Sequence, residues 1–428
     1  MKTIQIIKYN LLQWLIILIC LPVLIPLALI HPKRKQTFFK RLGFQSLDQH
    51  ENPIWVHALS VGEVLSAFPI IEGLRKQWPN QPIVFSASTL TGYDMAQKIQ
   101  PYVDEIIYYP YDFIFSVQWM IKKVNPKMFI LVESDIWPNF LAHLHRKHIP
   151  AILLNGRLSK ESLKGYQLFR GFMQPSLKSL TGICAQSNTQ KDRFLSFDVE
   201  PSRIIVSGNV KFDQKRHQMS KDAIDNLKAS LGVTDKTRII IAGSTHEGEE
   251  TILIDAFIRL RNQSPDLKLI IAPRDPGRGT EIQAICQLHN LSMVYFSNQK
   301  PFHKDILIVD QMGVLGKLYA IADIAFVGGS MVSEGGHNPL EPASMAKPVV
   351  FGSDMHDFPE VSECLVNEKA AFQVNSPKEL YQKFQLLLND TALARQCGLK
   401  GKQIVQNNQG AVQNCISFLD KLMIAIWP

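Results

Sequence analysis

Residues 128–139 of the chain read MFILVESDIWPN, and this stretch decides the fold class. The apolar run Met128–Ser134 predicts a strand that is buried on both faces, because a half-exposed strand would alternate apolar and polar residues. The segment that follows, Trp137–Lys147, has helical periodicity. A buried strand followed at once by a helix is the unit of a parallel, doubly wound α/β sheet.

The same pairing of apolar run and amphipathic segment continues on both sides of this stretch. Strands are predicted at Ile54–Ala58, Pro82–Ser88, Glu105–Pro110, Met128–Ser134, Ala151–Asn155, Gly182–Gln186, Ile204–Gly208, Arg238–Gly243, Leu267–Pro273, Ile306–Asp310, Ile324–Gly329 and Pro348–Gly352. Helices are predicted between them, for example at Gly62–Trp78, Glu247–Arg261, Leu315–Ala322 and Pro339–Ala346. The polar stretch Asp213–Asp222 separates two such sets and is interpreted as a link. The pattern therefore predicts two Rossmann-like domains with a cleft between them.

Length and composition agree with two folded domains. The 428 residues exceed what one compact core usually holds. Hydrophobic residues make up 46% and charged residues 20%, which excludes wholesale disorder and a bundle of many membrane helices. The six cysteines show no CxxC spacing, which argues against a zinc ribbon and a disulfide-stapled domain.

The net charge of +8 is concentrated at the N-terminus. Residues 1–41 contain seven basic residues and no acidic one, and subtracting them leaves 39 basic and 38 acidic residues in the other 387. A local excess of this kind does not indicate nucleic-acid binding.

The segment Tyr9–Ile30 contains no charged residue and, as a helix, is long enough to cross about 30 Å of hydrocarbon. The heavier basic flank follows it, which places the bulk of the chain on the cytoplasmic side. A helix lying at the interface stays open as an alternative, since Pro22 and Pro26 would kink a spanning helix and the basic cluster suits anionic headgroups.

Ligands of parallel sheets bind at the carboxyl ends of the strands, so the loops that follow strands are the places to search for a site. The first is HALSVGE, residues 57–63, where Gly62 permits a tight turn and Glu63 falls in the first turn of a helix. Two interpretations stay open: Ser60 and Glu63 form a capping box, or Glu63 is a catalytic base.

Two carboxylates, Glu133 and Asp135, follow the strand at 128–134. Asp135 fits a helix N-cap, whereas Glu133 is harder to explain as structure because a buried carboxylate needs partners. Arg157, after the next strand, is a candidate partner. Whether such a pair is structural or functional stays open.

In the second half, GSTHEGEE at residues 243–250 runs from a strand into a helix. Backbone N–H groups and hydroxyls at Gly243, Ser244 and Thr245 predict an anion site at the helix start. Because no Gly-Lys-Ser/Thr follows, this is not a phosphate-binding P-loop.

The last loop is SEGGHNPLEPA, residues 333–343. Asn338 suits an N-cap and the proline after it the first helical position, while Gly335 and Gly336 let a ligand approach the backbone. Glu341 lies one turn into that helix, and Arg274, at another strand end, is placed to meet the same anion. His337 by itself is interpreted as an ordinary surface residue.

Taken together, these segments resemble the 3-deoxy-D-manno-octulosonic acid (Kdo) transferases of lipopolysaccharide biosynthesis. Besides the N-terminal apolar layout, the matching segments are HALSVGE at 57–63, LVESDIWPN at 131–139, LNGRLS at 154–159, SGNVKFD at 207–213, GSTHEGEE at 243–250, APRDP at 272–276 and GGSMVSEGGHNPLEPA at 328–343. The resemblance implies a GT-B glycosyltransferase with an N-terminal membrane-anchor helix. We expect an anchor with its basic flank at 1–42, an acceptor domain at 43–213, and a nucleotide-sugar domain with C-terminal helices at 214–428.

The resemblance also implies the chemistry. The donor would be CMP-Kdo and the acceptor the tetra-acylated lipid A precursor, lipid IVA. Glu63 matches the family's catalytic base, which would take the proton of the 6′-hydroxyl while that oxygen attacks the Kdo anomeric carbon with inversion. Glu133 matches the second essential acid. The residues expected to bind CMP are Arg274, Gly243, Ser244, Thr245, Gly335, Gly336, Asn338 and Glu341, and those expected to bind the acceptor are Ser60, Gly62, Arg157, Lys160 and Lys164, with Arg170 nearby.

A nucleoside monophosphate leaving group carries less charge than a diphosphate, and no DxD pair follows a strand, so we expect no metal requirement and no other cofactor. The expected partners are CMP-Kdo, the lipid A precursor and anionic phospholipid headgroups, but no nucleic acid. The expected location is the inner membrane with both domains on its cytoplasmic side. Two alternatives stay open: a nucleotide-sugar 2-epimerase, and a membrane-tethered sugar-nucleotide binder without catalytic activity.

Overall fold

The computed structural model describes residues 3–30, 32–133, 135–214, 219–298, 301 and 303–426, without the side chains of 3, 4, 20–36 and 426. The chain divides into two compact units. The first consists of residues 1–214 and 408–428, and the second of residues 215–407.

The first unit is built on a parallel sheet. Its strands are β1 (Ile54–Ala58), β2 (Ile83–Ala87), β3 (Glu105–Tyr108), β4 (Met128–Val132), β5 (Ala151–Gly156), β6 (Gly182–Ala185) and β7 (Ile204–Val206), in the order β3-β2-β1-β4-β5-β6-β7. Every residue of β1 and β4 is buried, as the mainly apolar sequence of both segments predicted. Ser134, the last residue of the predicted fourth strand, lies outside the described residues.

Helices of the first unit cover both faces of this sheet, and apolar clusters lie on each side. They are α1 (Thr3–Ile30), α2 (Pro32–Arg41), α3 (Val61–Gln77), α4 (Leu90–Ala96), α5 (Ile114–Val124), α6 (Pro138–Arg146), α7 (Lys160–Leu168), α8 (Arg170–Lys178) and α9 (Asn188–Leu195). The doubly wound class predicted from the sequence is confirmed.

The second unit repeats the plan. Its strands are β8 (Arg238–Thr245), β9 (Leu267–Pro273), β10 (Met293–Tyr295), β11 (Ile306–Ile308), β12 (Ile324–Val327), β13 (Val349–Phe351) and β14 (Ala371–Gln373), in the order β10-β11-β9-β8-β12-β13-β14 and parallel throughout. Its helices are α10 (Lys221–Ser230), α11 (Glu249–Arg261), α12 (Gly279–Leu288), α13 (Leu315–Leu318), α14 (Leu340–Ser344), α15 (Pro359–Asn367), α16 (Pro377–Asn389) and α17 (Thr391–Asn407).

The last helix, α18 (Ala411–Ile426), belongs to the first unit rather than to the predicted domain at 214–428. Its Ile416 and Leu419 are buried in a core cluster of that unit. The carboxylate of Asp213 accepts the backbone N–H of Gly410 at 2.7 Å and that of Val412 at 2.6 Å. Asp213 is therefore not part of a free link, and residues 215–218 of the predicted link lie outside the described residues.

The N-terminal helix α1 packs against the first unit through polar side chains. The Tyr9 hydroxyl donates to Asp112 Oδ2 at 3.0 Å, and Asn10 Nδ2 donates to Asn139 Oδ1 at 2.9 Å. Other side chains of α1, among them Leu18, which is 66% exposed, face solvent.

A membrane span was predicted at 9–30, and the side chains of 20–30 lie outside the described part. Within the described part of the chain, we find no helix with the length and apolar character needed to cross a bilayer.

Candidate active site

The order of the first sheet marks one position as special. The chain runs from β1 outward to β2 and β3 and then returns to β4 on the other side of β1. In open parallel sheets, ligands bind in the crevice at such a reversal, outside the carboxyl ends of the two strands. The segments that follow β1 and β4 are those carrying Glu63 and Glu133.

Glu63 lies in the first turn of α3, half-buried. Its Oε2 accepts the backbone N–H of Leu59 at 2.6 Å, whereas the Ser60 side chain makes no capping hydrogen bond within the described structure. Burial, followed by the negative charge of Glu133, raises the pKa of Glu63 to about 8. The carboxylate thus makes part of the predicted capping contact and still has the basicity that a general base needs near neutral pH.

Glu133 directly follows β4 with a left-handed backbone, φ +70°, which is strained for any residue but glycine. Its side chain is buried, and its Oε1 accepts the Ser66 hydroxyl at 2.8 Å and lies 3.5 Å from Asn155 Nδ2. The expected partner, Arg157, forms no ion pair in the described part of the chain. Both side chains that hydrogen-bond to Glu133 are neutral, and its negative charge acts on Glu63.

A histidine that the sequence reading left without a role completes this cluster. His57, the fourth residue of β1, is fully buried and its Nε2 lies 3.0 Å from Asp135 Oδ2. Its Nδ1 is 3.0 Å from the Ser86 carbonyl oxygen, and its ring stacks on Tyr109 with centroids 3.7 Å apart. Asp135 thus pairs with an imidazole and is not the predicted helix cap, since the N-cap of α6 is Trp137, with no side-chain capping hydrogen bond in the described structure. A histidine inside an otherwise apolar strand was the available signal.

The candidate acceptor residues are all partly or fully exposed. Gly62 is exposed, and no described atom lies within 4 Å of where its Cβ would be. Lys160 and Lys164 are exposed on α7. Arg170 instead pairs with Asp198 at 3.6 Å and covers the Phe197 ring, so its guanidinium is engaged within the protein.

In the second sheet the reversal lies between β8 and β12, since β9 is on the other side of β8. The predicted anion loop at 243–245 is part of strand β8, and helix α11 begins only at Glu249. A Cβ at Gly243 would collide with the Tyr319 hydroxyl, and the buried Thr245 hydroxyl donates to Glu250 Oε1 at 3.0 Å. Gly243 and Thr245 therefore serve packing, and of the three only Ser244 is partly exposed.

Glu249, to which the sequence analysis gave no role, holds the loops of this part of the site together. Glu249 is fully buried, and its carboxylate accepts the backbone N–H groups of His246, Gly329, Ser330 and Met331 at 2.7–3.0 Å. A carboxylate of the protein thus occupies the N–H groups that a Gly-rich turn would otherwise offer to a phosphate.

The glycine pair of the last loop is also engaged in the fold. Gly335 and Gly336 have φ of +86° and +70°, and the Gly335 N–H donates to Asp354 Oδ2 at 3.1 Å. The helix α14 is only five residues long and begins at Leu340, whose N–H donates to Asn338 Oδ1 at 3.0 Å. The helix thus begins one residue later than predicted, with Pro339 rather than Asn338 at the N-cap position. Glu341, in the first turn, lies close enough to Tyr319 to raise the pKa of that phenol, after burial.

Arg274 and two histidines are further polar side chains at this reversal. Arg274 is exposed and makes no ion pair within the described residues. His246 Nε2 and His337 Nε2 lie 2.8 Å apart. Burial, and then the charges of Arg274 and His246, lower the pKa of His337 to about 4. His337 is therefore not the ordinary surface residue expected from the sequence.

Comparison with known proteins assigns the family. Residues 36–214 match a family model described as "3-Deoxy-D-manno-octulosonic-acid transferase (kdotransferase)". A 3-deoxy-D-manno-octulosonic acid transferase of Haemophilus influenzae is 32% identical over 415 residues, covering 94% of this chain and 96% of the relative. The chain belongs to the Kdo transferase family.

Solved structures show the same architecture. The UDP-GlcNAc 2-epimerase of Neisseria meningitidis aligns with a TM-score of 0.58 and 13% identity over 87% of this chain and all of that one. A glycosyltransferase of Rickettsia africae aligns with a TM-score of 0.53 and 15% identity over 88% of this chain and 99% of that one. At these identities the likeness shows the fold, two parallel-sheet α/β domains of the glycosyltransferase B type.

The matched region of the Kdo transferase model includes Glu63 and Glu133 and ends before the second unit. Among the described residues, no group of three or more His, Cys, Asp or Glu side chains is arranged to hold a metal ion.

Proposed function

We propose that the chain transfers Kdo from CMP-Kdo to the 6′-hydroxyl of lipid IVA in lipopolysaccharide synthesis, with inversion at the anomeric carbon. Membership of the Kdo transferase family supports the transferred sugar, and the alignment over 94% of the chain supports a transferase rather than a binding module. The relative named a Kdo transferase is matched over 96% of its own length.

The observation that carries the mechanism is the pKa of Glu63, raised to about 8 by burial and by Glu133. A hydroxyl is a poor nucleophile at neutral pH, and a carboxylate of ordinary pKa is a weak base for it. The raised pKa makes the ionised form of Glu63 a stronger base, which takes the acceptor proton while the oxygen attacks. A positioned base of this kind contributes about 10²–10⁴-fold to the rate.

The donor is assigned to the second unit, with Arg274 as the cation that meets its phosphate. Arginine suits this role because its guanidinium binds phosphate oxygens in a bidentate manner. The departing CMP carries a single phosphate, so we propose that transfer requires no metal ion. Loss of activity with EDTA that Mg²⁺ restores would contradict this part.

Because the acceptor is a membrane lipid, we propose that the enzyme works at the cytoplasmic face of the inner membrane and attaches through residues 1–42. The exposed apolar side chains of α1, such as Leu11 and Trp14, and the basic residues that follow this helix support attachment. Flotation with vesicles containing anionic lipid tests it, and a variant lacking residues 1–42 should remain at the bottom of the gradient.

The central test is transfer in vitro from CMP-Kdo to lipid IVA, followed by mass spectrometry of the lipid. We compare wild type with Glu63→Gln and with Glu161→Gln, a control in the first turn of α7 that is exposed. Wild type and the control should add Kdo, and Glu63→Gln should be slower by about 10²–10⁴-fold. No mass gain by wild type, with altered sugar nucleotide in the absence of lipid, would favour an epimerase. Equal rates for all three would remove the base role from Glu63.

A further inference from the structure

Two imidazoles in the second unit have no part in the function proposed so far. His246 directly follows β8, and His337 lies in the loop after β12, so both stand at the reversal of the second sheet. Their Nε2 atoms are 2.8 Å apart, and their rings are near parallel, with an interplanar angle of 11° and centroids 5.1 Å apart. Both side chains are partly exposed, so a ligand has access to them.

The short distance fixes how protons are placed on the pair. A hydrogen bond between two imidazole nitrogens needs one proton, so one Nε2 donates and the other accepts. When the pair carries an extra proton, the charged ring has an N–H on both nitrogens and can only donate. Because burial and the charge of Arg274 disfavour a charged His337, His246 is the charged donor and His337 Nε2 is the acceptor. Its own proton is then on Nδ1, for which the described residues supply no hydrogen-bond partner.

The charges around the pair come from every neighbouring segment. Arg274 follows β9, Glu334 lies 3.9 Å from His246 Nδ1, and the carboxylate of Glu249 at the start of α11 accepts the His246 N–H. Asp354, His356 and Asp357 line the loop after β13, beside Gly335. The positive charge of Arg274 disfavours a positive charge on the histidine pair. The carboxylate of Glu334 lies on the side of His246 and favours a positive charge there. An anion bound to Arg274 neutralises its charge and so removes the repulsion between Arg274 and a protonated histidine.

We propose that His246 and His337 form a proton-carrying oxyanion site, in which His337 Nδ1–H donates to a phosphate oxygen of the donor nucleotide and His246 takes up a proton from solvent when that oxyanion binds. This inference rests on the proposed function, because it names how the second unit holds the donor.

The chemistry of transfer explains what the extra proton does. When the bond between the anomeric carbon and the phosphate oxygen breaks, its electron pair remains on that oxygen. The nucleotide phosphate therefore gains one negative charge. Arg274 alone balances one negative charge. A second positive charge on His246, relayed through the hydrogen bond to His337, balances the charge that develops as CMP leaves.

The experiment is calorimetric titration of CMP, cytidine and Kdo into the full chain at pH 7, in buffers of different ionisation enthalpy. Wild type should take up protons when it binds CMP and none when cytidine is added. Its CMP affinity should fall as the pH rises from 6 to 8, by up to about tenfold per pH unit, because binding and protonation are linked. Proton uptake with Kdo but not with CMP would assign the pair to the sugar carboxylate and overturn the phosphate assignment.

Three variants separate the two residues. His246→Gln keeps a donor for His337 Nε2 but cannot titrate, so CMP should bind with an affinity independent of pH and without proton uptake. His337→Asn keeps a donor near the Nδ1 position and should bind CMP better than His337→Ala, which should lose about 10–100-fold in affinity. The control is His289→Gln, an exposed histidine 3.8 Å from Asp255, which should behave as wild type.

The two proposals fail differently. If wild type transfers Kdo and binds CMP without proton uptake, or if His246→Gln retains the uptake, the histidine inference is wrong and the transferase stands. If wild type neither binds CMP nor transfers Kdo, the proposed function fails and the inference fails with it.

Discussion

The two units share one kind of parallel sheet, but the side chains at the two reversals differ in charge. At the reversal of the first sheet stand three carboxylates, those of Glu63, Glu133 and Asp135, while Arg274 and a histidine pair stand at the reversal of the second. The first arrangement suits the removal of a proton from a hydroxyl, and the second suits the binding of an anion. The sheet thus determines where a site lies, and the loop residues determine what the site does.

Two buried glutamates show how hydrogen bonding divides these roles further. Glu249 receives four backbone N–H groups, so its charge is compensated and it holds the loop in place. Glu133 receives one hydroxyl at 2.8 Å and one amide at 3.5 Å, so much of its charge acts on Glu63. A well-compensated carboxylate is structural, whereas a poorly compensated one raises the pKa of its neighbour.

The largest effect should come from breaking the compensated carboxylate. In Glu249→Gln, the amide nitrogen faces N–H groups instead of accepting from them, so the free energy of unfolding should fall by about 3 kcal/mol. Urea unfolding followed by circular dichroism measures this loss. Glu247→Gln is the matched control, since that side chain is 90% exposed and 3.7 Å from Arg278, and it should change stability by less than about 0.5 kcal/mol. Equal stability of the two variants would contradict the structural role of Glu249.

The next effect concerns the cation of the second unit. Arg274→Gln should weaken CMP binding by about 10–100-fold, because a charge-assisted hydrogen bond to phosphate is lost. Its thermal stability should match that of wild type, since Arg274 makes no ion pair within the described residues. Arg395→Gln removes an exposed arginine of α17 and should bind CMP normally. A similar loss in both variants would show a general charge effect rather than a site.

The contrast between the units also shows what sequence can predict. Long apolar runs such as β1 and β4 were located to within about two residues, because a strand buried on both faces has no polar alternation to obscure it. The edge strands β10 and β14 of the second sheet were missed, since each is three residues long and partly exposed. The equally short β7 was located because its sequence, Ile-Ile-Val, is wholly aliphatic, whereas β10 ends in tyrosine and β14 in glutamine.

The site residues were likewise predicted only where the local sequence gave a signal. Glu63 and Glu133 were singled out because they follow predicted strands, and their proposed roles came from the family resemblance, whereas Glu249 looked like one of several acids at a helix start. Its four N–H partners come from the far loop at 329–331 as well as from His246, so only the fold reveals its role. The His246–His337 pair was missed for the same reason, since 91 positions separate its members in the chain.

A smaller effect should appear in the pH dependence of transfer. Glu63 acts as a base only when ionised, so the wild-type rate should rise as the pH increases through its pKa of about 8. Glu133→Gln removes the repulsion that contributes to this value, so the rising limb should move to lower pH, although the maximal rate falls if Glu133 is also essential. A rate–pH profile in constant ionic strength measures the shift. Asp198→Asn, an exposed acid of the same unit, should leave the limb in place.

The smallest effect tests the capping interpretation of the HALSVGE segment. Ser159 caps α7 by accepting the Ser162 N–H at 2.9 Å, whereas Ser60, at the equivalent position of α3, makes no such bond within the described structure. Ser159→Ala should therefore cost about 1 kcal/mol of unfolding free energy, and Ser60→Ala less than about 0.5 kcal/mol. Chemical unfolding of both variants decides the matter. If Ser60→Ala costs as much as Ser159→Ala, the segment is a capping box, and the position of Glu63 has a purely structural explanation. If it costs little, the Ser60 hydroxyl does not cap α3, and the segment is not a reciprocal capping box although Glu63 accepts the Leu59 N–H.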